Sequence, residues 1–159
     1  MGIYKSGDGS LQRCSFTLQL KVMTVAEKVP LPRLHQEYHL WMKELHFFEE
    51  EIVLFENLLN QIKDFGPCYT SGAEIIFFQH QFMMQKTVVE NLRSELQEAE
   101  KKLTRFVHAI YGMGLGSIKM ENHVTLQENI NAFKKSHAQL KNKFRLFEIA
   151  CRKPASAVS

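Results

Sequence analysis

The fold is decided by residues 34–62, which read LHQEYHLWMKELHFFEEEIVLFENLLNQI. Apolar residues return in this stretch at alternating spacings of four and three, which is the 3.5-residue period of helices that supercoil around one another. The members of this apolar seam are Leu34, Tyr38, Trp41, Leu45, Phe48, Ile52, Phe55, Leu59 and Ile62. The pattern predicts a long amphipathic helix, helix A, over residues 31–63.

Two later stretches have the same period and predict two more helices. Helix B is expected over residues 71–111, between a capping box at its start and a glycine-rich run at its end. Helix C is expected over residues 123–150. The seam of helix B is interrupted by Gln85 and that of helix C by His137, and we expect the two side chains to hydrogen-bond inside the core.

Short connections between such long helices predict an up-down-up topology. The expected fold is therefore all-α, an elongated antiparallel three-helix bundle or coiled coil over residues 31–150. Residues 1–30 are expected to be a flexible, loosely attached extension, and residues 151–159 a disordered tail. Within the extension, residues 16–22 alternate apolar and polar like a strand, and Met23 could equally be the biological start.

Composition and cysteine spacing bear on the compartment. The chain has 159 residues, 45% of them hydrophobic, and a net charge of +3, which fits one globular domain. It has neither a signal-peptide pattern nor an apolar run of 18 residues, and its three cysteines follow no metal-finger or disulfide-framework spacing. These features predict a cytoplasmic protein without a membrane-spanning segment. The topology places Cys68 near Cys151, so we expect a disulfide between them only under oxidation.

Charge is divided between the helices. Helix A has seven acidic residues against two lysines over residues 35–64, whereas residues 131–153 have seven basic residues against one acid. We expect the two excesses to pair across the interface between helices A and C. Nucleic-acid binding is not expected, because the aromatic residues that could stack on bases belong to the core seam.

Four of the seven histidines are expected at one end of the bundle: His35, His39, His108 and His123. Paired histidines at positions i and i+4 share a helix face, so these four could bind a divalent transition metal. The competing interpretation gives them structural roles, since those of helix A lie at the boundary of its buried face. No cofactor is expected under the first interpretation of function, and metal binding is the alternative.

Helices A and B have more apolar residues than one seam can bury, whereas helix C has a single apolar stripe. The candidate interface residues are Leu40, Phe47, Leu54, Leu58, Phe77 and Met84. No phosphate-binding loop or nucleophile elbow is present in the sequence. We therefore expect a non-enzymatic protein that associates with itself or with another helical protein through this second face. Coverage of the face by residues 16–20 is the competing interpretation.

The strings HQEYHLWMKELHFFEEEI at 35–52 and FQHQFMMQK at 78–86, with His123 and Leu126 further on, resemble a group of small bacterial helical proteins of unassigned function. The resemblance covers residues 31–150. It implies a cytosolic all-helical bundle and transfers no catalytic or binding residue.

Overall fold

The chain forms three long helices. The computed structural model describes residues 29–65, 72–110, 117–118, 120 and 122–152. The helices are α1 (Leu31–Phe65), α2 (Gly72–Ala109) and α3 (His123–Arg152). α1 packs against both α2 and α3, which confirms the all-α antiparallel three-helix bundle. Each helix boundary lies within two residues of the predicted position. At 1.5 Å per residue the helices are on the order of 50 Å long.

A minimal sheet lies at the end where α1 begins. Strand β1 (Val29–Pro30) pairs antiparallel with strand β2 (Ser117–Ile118), with Val29 opposite Ile118. This pairing was not predicted, and it joins the last two residues of the expected extension to the connection between α2 and α3. The strand-like segment 16–22, Met23 and the tail from residue 153 lie outside the described residues.

The apolar seams form the core, as predicted. Seven of the nine seam positions of α1 are buried, and the other two, Phe48 and Ile62, are half-buried against the core. In α2 and α3 the polar seam residues Gln85 and His137 are buried together with their apolar neighbours. Phe82 and Phe144 from these two helices pack edge to face, with ring centroids 5.2 Å apart.

One row of α1 carboxylates faces α3. Glu37, Glu44 and Glu51 follow one another at seven-residue spacing, so they share one side of the helix. Their ion-pair partners on α3, in the same order, are His123, Lys134, and His137 together with Lys141. The predicted pairing of the acidic helix A with the basic helix C is therefore confirmed for Lys134 and Lys141.

A second row of α1 carboxylates faces α2. Glu49 pairs with Arg93, and Glu56 pairs with Lys86 at 2.5 Å. The partner numbers fall as the glutamate numbers rise, which is the register of two antiparallel helices. The two carboxylate rows therefore lie on opposite flanks of the α1 seam, one for each neighbouring helix.

Glu51 is the most enclosed of these acids. Oε2 of Glu51 lies 2.8 Å from His137 Nε2, and Lys141 donates to the other oxygen. Burial acts to raise the pKa of Glu51, but the hydrogen bonds from Lys141 and His137 outweigh it, and the net pKa is lowered. The predicted bond between Gln85 and His137 is wrong, because Gln85 Nε2 donates to Ser136 Oγ at 3.1 Å. The imidazole turns instead towards the charged carboxylate, which is a stronger acceptor.

Cys151 is disulfide-bonded and lies partly buried against the core. The other two cysteines of the chain, Cys14 and Cys68, lie outside the described residues, and so does the predicted pairing of Cys68 with Cys151.

We predict that Glu51→Gln destabilises the bundle by about 1–3 kcal/mol at pH 7, because it leaves Lys141 and His137 without their carboxylate. A lowered pKa means that the ionised carboxylate stabilises the fold above the unfolded pKa of about 4.3 and loses this effect as pH falls through the folded pKa. The variant should therefore lose less stability than wild type on acidification below pH ~4.3.

Urea denaturation at pH 7 and pH 3 measures both effects. The control is Glu90→Gln, at an exposed position of α2, which should change stability by less than about 0.5 kcal/mol. Equal effects of the two substitutions would contradict the assigned role of Glu51.

Candidate functional site

Three apolar residues of α1 form an exposed row, called here the α1 apolar row. Leu40, Phe47 and Leu54 are 55%, 57% and 55% exposed and follow one another at seven-residue spacing. The fourth predicted member, Leu58, is half-buried and packs against the core. Leu58 lies seven residues after Glu51, so it is on the side of α1 that faces α3.

The position of the α1 apolar row follows from its neighbours on the helix surface. Glu44 and Glu51 lie three residues before and four after Phe47, and both pair with α3. Lys43 and Glu50 lie on the other flank of Phe47, which is open to solvent, and both are exposed. The row therefore runs along the outside of the bundle, immediately beside α3.

The α2 members of the predicted interface lie elsewhere. Phe77 and Met84 are 45% and 48% exposed. Two heptads beyond Met84 on the same side of α2 stands Glu98, which lines a cleft between α2 and α3. Because both apolar rows flank α3, one on each side, they are separate rows rather than one continuous face.

α3 has an exposed apolar pair that was not predicted. Leu146 and Ile149 are 69% and 54% exposed, although a single apolar stripe was expected on this helix. Their three-residue spacing beside the seam residue Phe147 is the signal that could have revealed them.

The first two histidines of α1 form a pair that points towards α2. The rings of His35 and His39 stack with centroids 5.5 Å apart. Their Nδ1 atoms lie 3.9 and 4.0 Å from the same Glu100 oxygen on α2. Both imidazoles are more than half exposed, as expected for the boundary of the buried face.

The other two candidate metal ligands do not join this pair. His108 is exposed in the last turn of α2, and no contact with the α1 pair is present among the described residues. His123 is buried and its ring stacks on Trp41 at 5.4 Å. The part of the chain that the structure describes has no group of three or more His, Cys, Asp or Glu side chains arranged to hold a metal ion.

His123 occupies an electrostatically defined position. Its Nε2 lies 3.2 Å from Glu37 Oε2, so the proton of the neutral imidazole belongs on Nε2. Burial lowers the pKa of His123, Glu37 acts to raise it, and Arg33 lowers it further. His123 Nδ1 is buried and has no hydrogen-bond partner among the described residues. The same holds for the hydroxyl of Tyr38, whose ring centroid lies 5.7 Å from that of His123.

We predict that Trp41 reports the protonation of His123, because Trp41 is the single tryptophan of the chain and an imidazolium stacked on an indole quenches its fluorescence. A lowered folded pKa means that this histidine contributes full stability above the unfolded pKa of about 6.5 and less as pH falls towards the folded pKa. As the pH is lowered, the fluorescence of Trp41 should therefore fall, and the midpoint of this change should lie below pH ~6.5.

The variant His123→Gln should lose this titration, whereas the exposed control His108→Gln should keep it. A midpoint at or above the unperturbed value in wild type would contradict the burial of His123.

Comparisons with known proteins identify no relative. No family model, no curated protein and no solved structure matches the chain. Within the described residues, no helix is long and apolar enough to cross a membrane. The resemblance to small bacterial helical proteins stays a prediction, and the function has to be inferred from geometry and charge.

Proposed function

We propose that this protein is a non-enzymatic helical bundle that binds a second copy of itself through the α1 apolar row. The observation that carries the proposal is the exposure of Leu40, Phe47 and Leu54, each more than half, along four turns of one helix. A row of this kind is the seam that one helix offers to another in a coiled coil. Because no helix of the same bundle covers this row, it favours association with another molecule.

The sequence around Phe47 suits a two-fold arrangement. Leu40 and Leu54 are equally distant from Phe47, seven residues on either side. In an antiparallel pair of α1 helices with the axis at Phe47, Leu40 would face Leu54 of the second copy, and the two Phe47 rings would meet. Every residue of the α1 apolar row then has an apolar partner in the second copy, so the assembly is complete as a dimer.

The charges on the open flank agree with this arrangement. Lys43 lies four residues before Phe47 and Glu50 three residues after it, so a two-fold axis brings each opposite the other in the second copy. Among the described residues Lys43 makes no ion pair, and Glu50 makes one only with the exposed His46, at 3.4 Å. Two such intermolecular pairs would each contribute less than about 1 kcal/mol, which serves orientation more than affinity.

Other properties belong to the same proposal. We infer a cytosolic location from the cysteine spacing, although the disulfide of Cys151 would need an oxidising step to form. No nucleic-acid or membrane partner is proposed, since Lys134 and Lys141, which belong to the basic excess of α3, are engaged with α1 carboxylates. Another helical protein docked on the same row is the outcome that would replace self-association.

The substitution Phe47→Glu should abolish dimers, because like charges would meet at the two-fold axis. We expect at least a tenfold rise in the dissociation constant, or about 1.4 kcal/mol, in sedimentation of the full chain. Leu146→Glu is the matched control, since Leu146 is equally apolar, more exposed, and outside the row. Wild type that stays monomeric at about 1 mM would refute the proposal, because a weak dimer should form at that concentration.

Charge reversal tests the orientation. Lys43→Glu and Glu50→Lys should each weaken the dimer several-fold, whereas the double variant should recover the wild-type affinity. A double variant that dimerises more weakly than either single variant would exclude the antiparallel arrangement.

If residues 16–20 cover the row instead, a chain beginning at Met23 would dimerise more strongly than the full chain.

Metal binding is the second candidate function, and the stacked His35 and His39 favour it. Both Nδ1 atoms face Glu100, so a small movement of the two rings would bring three donors around one divalent ion. His108 and His123 are not part of this smaller site.

The expected result of metal binding is a higher melting temperature on addition of zinc, manganese or iron, because a ligand of the native state stabilises it. His39→Gln should remove this rise, and His108→Gln should leave it. Elemental analysis of protein purified without an affinity tag completes the test: less than about 0.1 metal per chain, with no change in melting temperature, would end this candidate.

A further inference from the structure

A cleft of about 800 Å³ lies between α2 and α3, near the start of α3. Residues from all three helices line it, among them Tyr38, Glu95, Ala99, Lys102, His123 and Leu126. The cleft lies beside the point where the α2 seam has a small side chain. Ala99 occupies a buried seam position whose neighbours along the seam, Leu96 and Leu103, are both large. A small side chain at such a position leaves space that the facing helix does not fill.

Two residues in the lining of this cleft each have a polar atom without a partner. The Tyr38 hydroxyl and His123 Nδ1 are buried without a hydrogen bond to any described residue, and their side chains are 1% and 8% exposed. Buried polar groups in folded proteins are almost always paired, so an unpaired group calls for an explanation. Both residues line the same cleft, although the two atoms themselves are closed to water, and their ring centroids lie 5.7 Å apart.

The chemistry of the two atoms defines what can satisfy them. Burial, with a smaller effect of Glu37, raises the pKa of Tyr38 to about 12, so its hydroxyl stays protonated and can donate. Glu37 Oε2 lies 3.2 Å from His123 Nε2 and favours the neutral tautomer that has its proton there, so Nδ1 is expected to be an acceptor. The complementary group must accept from Tyr38 and donate to His123, as a hydroxyl or a primary amide does.

We propose that the cleft binds a small uncharged molecule with an apolar ring and a hydroxyl or primary amide group. Because both atoms are closed to water in the structure, binding turns the two rings towards the cleft. The polar group of the ligand then bridges Tyr38 and His123, and its ring packs on Ala99 and Leu126. A carboxylate is disfavoured, because it would bring a negative charge against the lone pair of Nδ1. Glu95 and Glu98 outnumber Lys102 in the lining, which also disfavours an anion. An ammonium group is disfavoured because it has no lone pair to accept the proton of the Tyr38 hydroxyl.

This site is independent of self-association, because no member of the α1 apolar row lines the cleft. Failure of one proposal therefore leaves the other standing.

The test uses phenol and benzamide as probes on the full chain, with toluene and benzoate as comparisons. Backbone NMR shifts of Ala99, Leu126 and their neighbours follow the titration. Phenol and benzamide should bind with dissociation constants in roughly the millimolar range expected for so few atoms. Toluene and benzoate should bind at least tenfold more weakly.

Two substitutions separate binding from folding. Tyr38→Phe keeps the ring, removes the hydroxyl and should weaken phenol about tenfold without lowering the melting temperature, since it removes an unpaired polar group. Ala99→Leu should fill the cleft and abolish binding, whereas Ala132→Leu, at an exposed alanine of α3, should leave binding unchanged. If Ala99→Leu fails to fold, Tyr38→Phe decides alone.

The remaining outcomes overturn the proposal. Toluene binding as tightly as phenol, or Tyr38→Phe binding phenol like wild type, would show that the polar atoms take no part. Preference for benzylammonium would refute the uncharged class. No shift with any probe up to about 10 mM would mean that the cleft holds water only.

Discussion

Burial of one apolar seam per helix, at a period of 3.5 residues, is the constraint on which the rest of this structure depends. A residue type repeated every seven positions keeps a constant angle to such a seam. Glu37, Glu44 and Glu51 therefore stay beside α3 along the whole of α1, and Glu49 and Glu56 stay beside α2. For the same reason the α1 apolar row stays outside for four turns and cannot enter the core.

The two kinds of interaction have different consequences. Each buried seam residue stabilises the fold by about 1.5–3 kcal/mol, whereas a partly exposed ion pair contributes less than about 1 kcal/mol. The seams therefore supply the stability, but apart from Gln85 and His137 they are apolar on all three helices and do little to distinguish one neighbour from another. The charges determine which helices are neighbours and in which register they pack. The acids of α1 pair with cations on both other helices, in parallel order on α3 and in reversed order on α2.

The parts of the structure that the sequence predicts are those that depend on local periodicity. The seams, the helix ends to within two residues and the burial of Gln85 and His137 follow from spacing alone. What spacing does not contain is the rotation of one helix relative to another. His35 and His123 were placed at one end by topology, but the first turns towards α2 and the second towards Glu37. The unpaired atoms of Tyr38 and His123 were unpredictable for the same reason.

The distribution of ion pairs also explains where the bundle leaves a cavity. Every ion pair between helices in the described part of the chain has one member on α1, and none joins α2 to α3. α2 and α3 meet through apolar side chains and one polar contact between side chains, from Gln85 to Ser136. With no charges drawing these helices together near Ala99, nothing offsets the small side chain there. The interface with the fewest directional contacts is thus the one that contains the cleft.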